Sequence, residues 1–245
     1  MRQAVRRFGG WAVRATFIAA VLLTAQPANR LSAQVGHDPA HSAYRDILLR
    51  PGPVFYVGQL SGDRGRAGAG PSNALTFGAR YELPAGHSLV LQFTAAYLKG
   101  DRFIIDPRAD SAAPARRTGP VDSDLLLTEF GLQLRLTGAK TWRGFAPYVG
   151  VGLGLMSDVN SPGDTTLSGY QFGTKLTLSG ATGVRWYPAR RIMVNADVRA
   201  QMWRLRYPVS FHTPASDGSR VVPLEEPLTD WTLHPWISLG IGWTF

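Results

Sequence analysis

WTLHPWISLGIGWTF, residues 231–245, decides the fold. Read back from the end, Phe245, Trp243, Ile241, Leu239, Ile237 and Leu233 share one parity. Thr244, Gly242, Gly240, Ser238, Trp236 and His234 share the other. Strict alternation of this kind marks a β-strand with one apolar face and one polar or small face. The strand is long and ends on an aromatic residue. Termini usually fray into solvent, whereas in a closed barrel the last strand pairs with the first and no edge remains.

Outward from that strand, seven further runs of the chain are strand-like. Val54–Leu60 is strand-like with ambiguous parity. In 75–83, Leu75, Phe77, Ala79, Tyr81 and Leu83 oppose Thr76, Gly78, Arg80 and Glu82. Runs of the same period cover 88–98, 125–137, 148–156, 174–187 and 191–206. The connections alternate in length. Residues 63–73, 100–123, 158–169 and 208–230 are long and rich in Gly, Pro, Ser and charge; 84–87, 138–145 and 188–190 are short. An even, antiparallel, up-and-down barrel with all long loops on one side requires this order, and in a membrane barrel the long loops face outward.

Ahead of the strands, Arg2, Arg6, Arg7 and Arg14 precede the apolar run 15–25, and Leu31-Ser32-Ala33 offers a small-residue cleavage site. Residues 1–33 read as a secretory signal; the run is too short to span a bilayer as a helix. The whole chain carries +9. Removing the five arginines of 1–33 from its 26 basic residues leaves 21 against 17 acidic. The basicity is thus largely a targeting feature, and nucleic acid is not an expected partner. The absence of cysteine excludes disulfides, thiolate metal sites and a cysteine nucleophile. In 34–52, Asp38-Pro39 is a helix-start signal, Ala40, Tyr44, Ile47 and Leu48 recur at helical spacing, and Pro51 stops the run. A short amphipathic helix is expected there, before a barrel over 53–245.

Alternation alone does not say which face is inside. Three features choose the polar one. It holds mixed charges near mid-strand: Arg80, Glu82, Glu129, Arg135, Lys175, Arg185, Asp197 and Arg199. It holds most mid-strand glycines, and small residues beside long charged ones suit the narrow lumen of eight strands. Aromatics also gather near strand ends, at Tyr81, Tyr97, Trp186, Trp203, Trp231, Trp243 and Phe245, where they would form interfacial girdles. The expected fold class is all-β: an eight-stranded antiparallel transmembrane barrel with a short N-terminal helix.

The strand Ala146–Leu155 (APYVGVGLGL), the ending Trp236–Phe245 (WISLGIGWTF) and the eight-strand layout resemble the small outer-membrane barrels of the OmpA/OmpX/OmpW type. The resemblance covers 54–245. It implies a bacterial outer-membrane location after signal cleavage and a monomer surrounded by outer-membrane lipid and lipopolysaccharide. It also implies insertion by the barrel-assembly machinery, with Ile241, Trp243 and Phe245 as the assembly signal. No cofactor or metal is implied.

Function is less legible. Inward charges must pair in a medium of low dielectric, which makes a salt-bridged plug the first expectation and a gated polar path the alternative. Arg102, Arg108, Arg116 and Arg117 lie in the second long loop, where they would meet lipopolysaccharide phosphates. Lipid A deacylases of this size use a His-x-Ser pair, and none of His37, His41, His87, His212 or His234 has a serine two residues on. His212 shares a loop with Glu225 and Glu226. His37 and His41 stand at metal-ligand spacing with no third ligand near. Gly150, Gly152 and Gly154 lie inside a strand, where they cannot cradle a phosphate. The expected role is structural, adhesive or surface-binding. A narrow channel for small hydrophobic or ionic solutes is the first alternative, and a lipid A-modifying enzyme the second.

Overall fold

The computed structural model describes residues 42–160 and 168–243. The proposed signal, the Asp38-Pro39 helix start, the His37/His41 pair and Phe245 lie outside them. Among the described residues there are eleven strands. In chain order they are β1 (Tyr44–Asp46), β2 (Gly52–Leu60), β3 (Pro71–Pro84), β4 (Leu89–Ile105), β5 (Arg117–Asp122), β6 (Leu125–Arg135), β7 (Lys140–Trp142), β8 (Phe145–Asp158), β9 (Thr174–Trp186), β10 (Ile192–Arg206) and β11 (Thr229–Trp243).

Eight of these close an antiparallel barrel in the order β2-β3-β4-β6-β8-β9-β10-β11 and back to β2. The closing pair sets Tyr56 against Gly240 and Leu60 against Trp236. Every long expected strand is present, and β2, β3, β4 and β8 are longer than their alternation suggests. Closure gives each central amide a partner, the condition for non-helical backbone in lipid.

Three short strands, β1, β5 and β7, lie outside the expected runs. β5 lies in the second long loop and extends the ladder of β4 past the barrel rim. β7 lies in the second short turn, and β1 pairs with it: Tyr44↔Trp142, Arg45↔Thr141, Asp46↔Lys140. This corrects the helix expectation. The described residues 42–50 hold no helix; Tyr44–Asp46 is extended. An isolated helix of about three turns is marginal in water, and the open edge of β7 offers the segment backbone hydrogen bonds instead.

The ambiguous first strand now has a face: Val54, Tyr56 and Leu60 are buried inside, while Phe55 and Val57 point out. Elsewhere the apolar parity is outside as expected, with Leu75, Phe77, Phe93, Phe130, Val151, Leu153, Leu176, Val198, Ile237, Leu239 and Ile241 all exposed. A continuous apolar belt of this extent is a lipid-facing surface. Tyr81, Trp186 and Trp243 stand outward toward the short-turn end, and Tyr97 and Trp231 toward the long-loop end. Trp231 and Trp243 are twelve residues apart on β11. At about 3.4 Å per residue and a tilt near ~40°, they are separated by roughly 30 Å of height, which fits a bilayer. Trp203 leaves the girdle set: it is fully buried inside the barrel, on the parity of Asn195 and Gln201.

Inward glycines make room for particular partners. A Cβ at Gly78 would sit 2.4 Å from the Tyr56 ring. Gly78→Val is therefore expected to cost about 1–3 kcal/mol through overpacking, read as a lower urea midpoint of the folded barrel. Adding Tyr56→Ala should restore much of the loss; no rescue would show that the close approach is not the cause.

Candidate functional site: a lumen closed in two layers under a knitted loop lid

The inward positions toward the short turns hold the charges. Arg80 Nη2 donates to Asp197 Oδ2 at 3.0 Å, and Arg185 Nη2 to Glu82 Oε1 at 2.8 Å. Arg199 pairs with Glu129 and stands 3.9 Å from Asp197. Neutral groups join the network. Tyr148 donates its hydroxyl to Asn195 at 3.0 Å and is 3.2 Å from Asp197, while Ser238 donates to Asp197. Gln92 donates to Glu82 and Gln201 to Glu129, each at 3.3 Å; Arg185 also donates to Gln133. The guanidinium of Arg80 lies over Tyr56, that of Arg185 over Tyr148 and that of Arg199 over Trp236. Charges removed from water are tolerable only with such partners. The result is a cross-linked wall of side chains joining β3, β4, β6, β8, β9, β10 and β11.

Six of the eight proposed lumen charges are thus brought together: Arg80, Glu82, Glu129, Arg185, Asp197 and Arg199. The other two stand apart. Arg135 is buried near the short-turn end, and among the described residues no carboxylate lies within ion-pair distance of it. Lys175 is half-buried toward the long loops, with its ammonium 5.7 Å from the Phe172 ring.

The long-loop half of the lumen is apolar, which sequence reasoning missed. Leu60, Leu98, Leu125, Leu127, Met156, Trp203, Leu205 and Trp236 are buried there. From the loops, Tyr170, Phe172, Tyr207, Phe211 and Val222 come down onto them. The rings interlock, with Tyr170 near Tyr207 and Phe211, and Phe172 edge-on to Trp203. Trp203 stacks on His234 at 3.6 Å between ring centroids. The Asp63 amide donates to His234 Nδ1 at 3.0 Å, so Nε2 carries the proton and donates to Thr232 Oγ1 at 2.8 Å. A signal was present in the sequence. Strand ends such as Leu125-Leu126-Leu127 are apolar on both parities, as expected of an element buried on both faces.

The loops are tied to one another above this layer. Arg66 bridges from the first long loop to Glu226 of the fourth at 2.9 Å, and its amide donates to Asp230 at 2.8 Å. Ser210 donates to the Ser168 carbonyl at 2.9 Å. The second and fourth loops clasp reciprocally. Asp217 accepts from the amide and hydroxyl of Ser111 at 2.8 and 2.9 Å, and Asp110 accepts from Ser216 and from the Asp217 amide. Hydrogen bonds from Ser219 and Ser111 hold the Asp217 carboxyl well below its ordinary value. A carboxylate depressed in this way keeps its contribution above its unfolded pKa and loses it as pH falls through the folded one. The clasp is therefore expected to hold at neutral pH and down through about pH 4, and to open only in stronger acid. Asp217→Ala should make the exposed Arg117 and Arg220 faster trypsin sites at neutral pH; unchanged cleavage would show that the clasp does not order the loops.

The loop arginines divide. Arg102 is buried in the mouth with its guanidinium over Tyr170, which removes it from an outward anion site. Arg116 donates to the carbonyls of Pro107 and Ala109 at 3.1 and 2.7 Å. Arg108 and Arg117 are exposed, Arg117 lying 3.8 Å over Phe103. Of the enzyme candidates, His212 Nε2 lies 3.1 Å from the Glu226 carbonyl oxygen, while the Glu226 carboxylate is taken by Arg66. His87 is exposed in the first short turn. Of the proposed assembly signal, Ile241 and Trp243 face outward at the end of β11.

Among known structures, the chain is similar to the outer membrane protein OprG from Pseudomonas aeruginosa, at 13% identity over 82% of this chain and 98% of that one, with a TM-score of 0.50. It also matches the N-terminal β-barrel domain of Pseudomonas aeruginosa OprF, at 15% identity, 80% and 98% coverage and a TM-score of 0.43. Neisserial surface protein A matches at 14% identity, 83% and 98% coverage and a TM-score of 0.41. No family model matches the chain, and no curated protein matches it. At these identities the likeness concerns architecture alone. With its closed topology, apolar belt and polar inner wall, the chain has the fold of the small eight-stranded outer-membrane β-barrels.

Proposed function

We propose that this chain serves in the bacterial outer membrane as a structural and surface-interaction protein, with neither a through-channel nor an enzymatic site. In this reading it is exported by cleavage near residue 33, inserted by the barrel-assembly machinery, and works as a monomer in contact with lipopolysaccharide. The observation that carries the reading is the filled lumen: ion pairs occupy one half, interlocked aromatics the other, and cross-loop bonds lie above both. Such an interior leaves the loop surface as the place for contact with other molecules. That surface presents Val209, Leu224 and Val159 together with Arg108 and Arg117. Exposed guanidiniums there suit lipopolysaccharide phosphates.

The test is binding of fluorescent lipopolysaccharide by the folded barrel in neutral detergent. Binding is expected to weaken with salt and with Arg108→Gln plus Arg117→Gln. Affinity unchanged in that double variant would remove the lipopolysaccharide contact. Loss of acyl chains from lipid A, followed by mass spectrometry, would overturn the non-enzymatic reading.

A further inference from the structure

We propose that the short-turn end of the barrel carries a binding site for the phosphate headgroup of an anionic phospholipid in the periplasmic leaflet. A groove of about 1000 Å³ opens there between the β1 segment, the β7 turn and the β9–β10 turn. Among the described residues, Arg45, Arg143, Arg190 and Arg191 line it against one acid, Asp46. This surplus is local. Six of the charges in the lumen above are matched in pairs, and the long-loop end mixes both signs.

Backbone hydrogen bonds fix the three walls relative to one another. The Ile47 amide donates to the Ala139 carbonyl at 3.0 Å, the Arg143 amide to Ala43 at 2.8 Å, and the Tyr187 amide to Gly144 at 2.9 Å. Arg143 has φ 51°, a left-handed conformation uncommon for a residue with a Cβ, and its guanidinium lies 5.4 Å over the Trp142 ring. The arginines are therefore carried on a preformed frame. Like charges lining one groove repel, and a phosphate among them relieves the repulsion while accepting planar, paired hydrogen bonds.

The position selects a lipid over a free anion. Trp186 both lines the groove and stands in the outward girdle, stacked on Phe145 at 6.3 Å between centroids. The groove thus opens at the level where tryptophans mark the bilayer interface. Leu48, also lining it, is 70% exposed and gives an apolar side for an acyl chain. A basic pocket beside the membrane surface with an apolar flank is a headgroup site in the physical sense of juxtamembrane recognition. The inference requires only that this end sit at a bilayer surface; it stands or falls separately from any ligand of the loops.

The test is native mass spectrometry of the folded full chain in neutral detergent, titrated with phosphatidylglycerol and phosphatidylethanolamine of identical chains. Phosphatidylglycerol is expected to be retained preferentially. Each basic residue near a membrane surface is worth about fivefold, so Arg190→Gln with Arg191→Gln should reduce the preference roughly tenfold or more. Arg143→Asn, which tolerates the positive φ, should reduce it again. If Arg143→Asn lacks the heat-dependent gel shift of a folded barrel, the exposed turn pair decides alone. Equal retention of the two lipids, or a preference unchanged in the turn pair, would overturn the proposal. Displacement of phosphatidylglycerol by an equal concentration of inorganic phosphate would make this a free-anion site and overturn the lipid assignment.

Discussion

Asp197→Ala is expected to lower the unfolding free energy of the barrel by about 3–5 kcal/mol, the range for breaking a buried ion pair from one side. Asp197 accepts from Arg80, Tyr148 and Ser238 and lies within 3.9 Å of Arg199. Its removal leaves the Arg80 guanidinium, 2% exposed, without its carboxylate. The loss would be read as an earlier midpoint in urea, followed by the heat-dependent gel shift. Arg80→Met combined with Asp197→Leu should cost clearly less than the sum of the single changes, because no unpaired charge then remains. Additive costs would mean that the two residues do not act as a pair.

Trp203→Ala should be almost as damaging, at about 3–5 kcal/mol for a large buried aromatic. Trp203 is the hinge between the two closures. It stacks on His234, meets Phe172 edge-on, and accepts at its carbonyl from Thr232 at 3.3 Å. Its loss leaves a dry cavity below the loops and frees the Tyr170–Phe211 cluster from its floor. Faster tryptic cleavage of the long loops should accompany the loss of stability. A destabilised barrel with loops as resistant as before would show that the lid is held by its own polar ties. Trp203→Phe, which keeps a stacking ring, should recover most of both properties.

The barrel was legible because a strand has a period of two and lipid demands an apolar face. Strands of fourteen residues such as β3 declare themselves when Leu75, Phe77, Tyr81 and Leu83 alternate with Thr76, Gly78, Arg80 and Glu82. The inward position of six network charges followed from the same parity. Their partners did not. Arg80 meets Asp197 across 117 positions of sequence, and only strand register and barrel stagger set that meeting. Arg135 and Lys175 have inward parity as well, yet their height places one beneath and one above the network.

Other misses have different causes. The 42–50 segment carries an apolar spacing compatible with a helix, but three residues take up the open edge of β7, a tertiary opportunity that local spacing does not contain. The apolar upper lumen was written in runs such as Leu125–Leu127, and reading each strand as alternating throughout hid the change of character toward the loops. Trp203 stands near a strand end, the place of a girdle residue, but its parity, shared with Asn195 and Gln201, points inward. Arg102 sits in what reads as a loop; β4 continues to Ile105 and turns that side chain into the mouth.

Single-channel recording of the refolded barrel in a planar bilayer tests the central claim, a lumen closed in two layers, most directly. Folding would first be established by the heat-dependent gel shift. The expected result is silence from the wild-type barrel at both polarities, and silence again from Asp217→Ala, since opening the loop clasp leaves the Arg80–Asp197, Arg185–Glu82 and Arg199–Glu129 pairs in place. Reproducible conductance steps from the folded wild-type protein, altered in size by Glu129→Gln, would contradict the closed lumen and make the inward charges the wall of a pore.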